Sequence, residues 1–94
     1  MRGAPSADDL EILDPDGQFQ ARLMADRAAL ERLADGGQAP ELVRLVHGLA
    51  GAAGTFGYRE IGDAAIALDD ALRDGETSSV PPLLAALRRA LQKV

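Results

Sequence analysis

Leu42-Val43-Arg44-Leu45-Val46-His47-Gly48-Leu49-Ala50-Gly51-Ala52-Ala53-Gly54-Thr55-Phe56-Gly57 is the stretch from which the fold can be read. Leu42, Leu45, Val46, Leu49, Ala52, Ala53 and Phe56 recur every three to four residues, the period of one helix face, until Gly54 and Gly57 break the pattern. Pro40 and Glu41 just before it suit the opening turn of a helix. At about 100° per residue, the centre of this apolar stripe lies roughly 160° around the axis from His47. The single histidine of the chain is therefore expected to face water.

The same period extends outward in both directions. Upstream, Gln18 to Ala34 carries Phe19, Leu23, Leu30 and Leu33, with Arg22, Asp26, Arg27, Glu31 and Arg32 between them, and Asp35-Gly36-Gly37-Gln38 ends it. Downstream, Arg59 to Asp74 carries Ile61, Ala65, Leu68 and Leu72, with Gly75 just past its end. The segment from Thr77 to Pro82 predicts a turn with a serine N-cap and early prolines, and Leu83, Leu84, Leu87, Leu91 and Val94 then mark a fourth helix. Helices joined by about three to six residues must run antiparallel to their neighbours. The predicted fold is all-α, an antiparallel up-down-up-down four-helix bundle over residues 18–94. Residues 1–17 hold Pro5, Pro15, Gly17 and five acids, and predict a tail with one short helical turn opened by Ser6.

Composition narrows the function. The chain has 94 residues, enough for one domain, and its bias to Ala (18) and Leu (14) over Val, Ile and Thr (nine together) favours helices. Lack of cysteine excludes disulfides, a thiolate nucleophile and a cysteine zinc site, and one histidine cannot form a multi-histidine metal site. A formal charge of −5 opposes binding to nucleic-acid phosphates. No apolar run approaches the ~20 residues that span a bilayer, and the N-terminus lacks a signal peptide's apolar centre, so the expected location is cytoplasmic, with no membrane partner. Nine of the ten basic residues are arginine, and the one lysine is Lys93. Met1 and the full fourth stripe lead to the expectation of a free-standing chain.

Around His47 the outer face of its helix carries Val43, Arg44, Ala50, Gly51 and Gly54, with Gly48 just beyond. A glycine inside a helix costs about 0.8–1 kcal/mol relative to alanine, so three of them here cost roughly 2–3 kcal/mol. Close approach of a neighbouring helix is one explanation for Gly48. It fails for Gly51, which lies opposite the buried stripe. A bare surface around an exposed imidazole lets another macromolecule reach a ring nitrogen.

The stretch from His47 to Gly57 resembles the signature of histidine-containing phosphotransfer (HPt) domains: His, any residue, Leu, Lys, Gly, small residues, an apolar residue and a second Gly. His47, Leu49, Gly51, Phe56 and Gly57 fall in register, and the resemblance covers about Gln18 to Val94. It implies a four-helix bundle with the histidine exposed on its second helix. It also implies a phosphoryl carrier and not an autonomous kinase. On that basis Nε2 of His47 takes a phosphoryl group from a histidine kinase or an aspartyl phosphate and passes it to a response-regulator receiver. The carrier has no cofactor of its own, the partner supplies Mg²⁺, and a monomer is expected.

Ala50 stands where the family usually has its lysine. Arg44, one turn before His47 and about 60° around the helix, can reach a phosphoryl group on Nε2 with a bidentate guanidinium; its alternative is an ordinary solvated residue. The family places an acid or amide about 22 residues after the histidine to accept from Nδ1, and that position is Asp69. Asp69 lies about 80° from the centre of its helix's stripe, on the flank, from which a side chain reaches the adjacent helix. Its alternative role is an i,i+4 pair with Arg73. Asp63, Asp70 and Asp74 fall on the outward, solvated side. Recognition is expected to use Val43, Ala50, Gly51 and Gly54, with Arg44 and Arg59 at the rim. Two other functions compete: an interaction module of the same fold that binds a receiver or kinase without phosphotransfer, and a bundle that dimerises through Gly48, Gly51 and Gly54.

Overall fold

The structure is a computed structural model that describes residues 13–33 and 40–94. Among the described residues it has four α-helices, α1 (Gln18–Leu33), α2 (Pro40–Ala52), α3 (Arg59–Asp74) and α4 (Val80–Gln92), with a 3₁₀ turn at Thr77–Ser79 before α4. The chain is an all-α four-helix bundle, and the described residues include no strand. Ser6 and its predicted helical turn lie outside the described residues, as does the glycine-containing run after α1.

Facing residues give the direction of each helix. Phe19 stacks on Phe56, Arg22 reaches Gly48, and Arg32 pairs with Glu41, so α2 descends as α1 climbs. Between α2 and α3, His47 faces Asp69 and Gly54 faces Gly62. Advancing seven residues on one side retreats seven on the other. Lys93, just beyond α4, pairs with Glu60 in the first turn of α3, and Arg88 of α4 crosses to Glu31 of α1, closing the ring. The most extensive contact is between α2 and α3.

The predicted stripes meet in one core. Leu23, Leu30, Leu42, Val46, Leu49, Ile61, Leu68, Leu87 and Leu91 are buried, as is Tyr58 from the α2–α3 connection. Removing a leucine side chain from water contributes about 1.5–3 kcal/mol, which is what drives these stripes together. No helix among the described residues is long and apolar enough to cross a membrane.

Local chemistry explains the ends of the helices. Asp14 is buried and its carboxylate accepts from the backbone N–H groups of Phe19 and Gln20, satisfying two orphan donors in the first turn of α1. Gly17 makes the turn between them with φ 69°. Gly75, with φ 72°, ends α3 in the left-handed C-cap expected of glycine.

Two expectations fail in detail. The helix carrying His47 stops at Ala52, and residues 53–57 form turns in which Tyr58 N–H returns to the Ala53 carbonyl and Gly57 takes φ 90°. Gly54 therefore lies past the helix end and only Gly48 and Gly51 carry the mid-helix penalty, about 2 kcal/mol together. Nor does Ser79 make a side-chain cap on α4. The residues after Val80 are Pro81 and Pro82, which offer no N–H for a serine oxygen to accept.

Candidate functional site

His47 occupies the middle of α2, with its side chain 71% exposed. The inward-facing Val46 and Leu49 fix the helix's rotation, so His47, about 100° from the first and about 160° from the second, must emerge on the outer side. Asp69 reaches it from the flank of α3. Its side chain is only 7% exposed, and Oδ2 lies 3.3 Å from Nδ1 of His47.

This contact depends on how closely α3 approaches α2. At Gly62 a Cβ would sit 3.2 Å from the backbone nitrogen of Gly54, so a larger residue would push the first turns of α3 away. Seven residues on, two helical turns along α3, Asp69 comes level with His47. Gly62 is buried and was not among the residues picked out by sequence. Its importance comes from a tertiary approach that no local pattern encodes.

The Asp69 carboxylate has a second neighbour. Arg73 Nε lies 3.6 Å from the same Oδ2, one turn further along α3, while its Nη2 donates to Asp70 at 2.8 Å. The two carboxylates hold the Arg73 guanidinium above its ordinary value, with the Asp70 hydrogen bond the larger cause and the Asp69 charge the next. The i,i+4 pair and the histidine contact thus coexist. Asp69 Oδ1 is buried and has no hydrogen-bond partner among the described residues. A buried carboxylate oxygen without a partner carries a desolvation penalty.

With the ring proton on Nδ1, that nitrogen donates to Asp69, and Nε2 keeps its lone pair on the solvent side. The arrangement is an oriented, exposed nitrogen nucleophile backed by an anion. Among the described residues no group of three or more His, Asp or Glu is placed to hold a metal ion.

The other residues singled out in the sequence surround this ring to different degrees. Arg44 is exposed and has no ion pair or hydrogen bond among the described residues. Val43 is half-buried, and Ala50 is half-buried against the core. Gly51 is exposed, and a Cβ there would meet nothing within 4 Å. Arg59 is exposed and, with Ala50, Gly54, Gly57, Gly62, Asp63 and Ile66, lines a groove of about 290 Å³ between α2 and α3. Asp63, Asp70 and Asp74 are exposed, on the solvated side. Gly48 does not receive a neighbouring backbone; what lies over it is the tip of the Arg22 side chain.

Ile66 adds an apolar residue that sequence reasoning missed. It is 47% exposed on the groove's α3 side. The signal was present: it falls about 140° from Ile61, outside the buried stripe of its own helix.

A family model described as Hpt domain matches residues 17–94. Searches of curated proteins and of solved structures give no match to this chain.

Proposed function

Because the chain belongs to the Hpt domain family, whose domains are phosphotransfer carriers and not kinases, we propose that His47 is the residue that carries the phosphoryl group. The observation that supports this assignment is the pairing of a 71%-exposed imidazole with a 7%-exposed carboxylate on its Nδ1. A core histidine would have its ring covered. An ordinary surface histidine would not be backed by a buried acid.

In the transfer step the Nε2 lone pair attacks phosphorus and the Nε2–P bond forms. The P–O bond to the donor breaks, and its electron pair leaves on an aspartyl carboxylate or on the ADP leaving group. The proton stays on Nδ1, so the ring becomes cationic, and Asp69 balances that charge. Return of the group to a receiver aspartate reverses the sequence. Such transfer is mostly positioning and electrostatics, so a small domain without an enclosed cavity suffices when the receiver or kinase brings Mg²⁺ and the acids that hold it. Arg44 offers its free guanidinium to the phosphoryl oxygens, and Val43, Ala50, Gly51, Gly54 and Arg59 form the surface on which the partner seats.

Incubating the protein with phosphorylated receivers and with histidine kinases, and following acid-labile, base-stable label, tests the assignment. Label is expected on wild type and absent from His47→Gln. Label retained on His47→Gln would move the site elsewhere. The absence of a lysine at Ala50 favours one competing function, a module that binds without transfer. Stable binding to a receiver with no label on wild type would establish it.

A further inference from the structure

Phosphohistidine carriers of this family use a lysine on the helix that bears the histidine, and here that position is Ala50. The single lysine is no substitute. Lys93 is held by Glu60 at 2.8 Å, and Glu60 lies nine residues from Asp69 along α3, about 13 Å of helix. The cation must come from an arginine, and of the two that cross from α1 to α2, Arg32 is held by Glu41 in the first turn of α2 while Arg22 arrives beside His47.

Arg22 projects from α1 onto Gly48, the residue immediately after His47. Its Nη2 lies 2.7 Å from where a Gly48 Cβ would be, so this guanidinium occupies the space a side chain would take. Two further contacts fix its position. Its Cζ lies 5.6 Å from the centroid of the Phe19 ring, which is itself stacked on Phe56 at 4.2 Å. Its Nε faces Asp26 Oδ2 at 3.4 Å, a long contact that leaves this buried oxygen without a hydrogen bond of good geometry. Loss of water raises the Asp26 carboxyl above its ordinary value of 3.8 by more than Arg22 lowers it. Neither Nη nitrogen has a hydrogen-bond partner among the described residues.

On the helical wheel of α2, Gly48 is about 100° from His47 on the side that faces α1, whereas Asp69 approaches from α3. Within about a turn of His47, only Gly51 and Arg44 fall in the sector between Gly48 and His47 on that wheel. Gly51 is bare, so the backbone leaves an open path between guanidinium and imidazole. We propose that Arg22, reaching from α1 across Gly48, is a phosphoryl-binding cation of the His47 site. This assignment rests on the carrier function above. A phosphoryl group on Nε2 carries close to two negative charges at neutral pH, and the fork of an arginine matches two of its oxygens. The two glycines then have separate uses: Gly48 admits the arginine, and Gly51 leaves the surface beside the ring open to the partner.

Phosphoramidate tests this without a partner protein. Its P–N bond breaks, ammonia leaves and the Nε2–P bond forms. Wild type, Arg22→Ala, Arg22→Lys, Gly48→Ala and Arg44→Ala are phosphorylated with it, with His47→Gln as control, and the phosphohistidine is followed by ³¹P NMR across pH. A nearby cation favours the dianion, so Arg22→Ala should raise the second ionisation of the phosphoryl group by roughly half a unit. It should also slow phosphorylation about threefold or more, and Arg22→Lys should restore most of both. Gly48→Ala should shift the ionisation in the same direction, because its Cβ displaces the guanidinium, while its folded fraction is undiminished. That variant keeps the test decisive if Arg22→Ala is poorly folded. Arg44→Ala measures the other cation separately, and Asp69 and Arg73 on α3 are unchanged throughout.

If wild type is phosphorylated on His47 while Arg22→Ala and Gly48→Ala titrate as it does, the Arg22 assignment is overturned and the carrier function stands. If wild type accepts no phosphoryl group from phosphoramidate or from receivers, the carrier function fails and Arg22 falls with it.

Discussion

The inner and outer faces of α2 share thirteen residues and one backbone, yet opposite physical demands shape them. On the inner face Leu42, Val46 and Leu49 have no exposed surface, and each position is defined by the volume it fills. On the outer face His47 stands exposed beside Gly51, where even a methyl group would meet nothing. One face is specified by side chains that pack, the other by one ring and by side chains left out. Stability should therefore respond to changes on the inner face, and transfer to changes on the outer face and its neighbours.

The largest effect is expected from Leu49→Ala. Deleting a fully buried leucine costs about 2–5 kcal/mol, through lost transfer energy and the cavity left behind. Urea denaturation measures this. The folded fraction of the variant should still take a phosphoryl group from phosphoramidate at the wild-type rate. A variant as stable as wild type would mean that the inner face of α2 is not the core, and one that folds but cannot be phosphorylated would erase the division between the faces.

The next effect crosses from one helix to another. Asp69→Ala should slow phosphoryl transfer at His47 about tenfold or more, since the group that fixes the ring tautomer and balances its charge is gone. Tenfold corresponds to about 1.4 kcal/mol of barrier. Asp69→Asn should retain part of the rate, because an amide oxygen also accepts from Nδ1. Helical content by circular dichroism should be the same in all three proteins. Equal transfer rates would leave Asp69 as only the partner of Arg73.

Much of this division is legible in the sequence, because helical phase alone sorts the residues of a helix. The limits of α3 follow from its stripe and from Gly75, and the flank position of Asp69 follows from its angle to that stripe. Phase fails where the chain leaves the helix without leaving the pattern. Ala53 and Phe56 keep the apolar period after α2 has ended, and the break comes from the turn at Gly54 and Gly57. It also says nothing about how helices meet. The approach of Gly62 to Gly54 and the placement of Arg22 on Gly48 depend on interhelical register, which no single segment contains. Asp14 reaches Phe19 and Gln20 from across a turn, so its capping role is hidden in a stretch that reads as tail.

The smallest effect is the sharpest test, because on Gly51 the two demands conflict directly. Gly51→Ala introduces a methyl group into open space, so no clash offsets the gain in helix propensity, and stability should rise by about 0.8–1 kcal/mol. If the glycine is there to let a partner close on Nε2, the same methyl group should slow transfer from a phosphorylated receiver several-fold. Phosphorylation by phosphoramidate, too small to need the cleared surface, should change little. A variant that is more stable and equally fast with both donors would show that the bare outer face serves neither partner nor chemistry. Slowing with both donors alike would place the fault in the ring or its cations. Loss confined to the receiver reaction, with stability gained, would identify the missing side chain as the element that admits the partner.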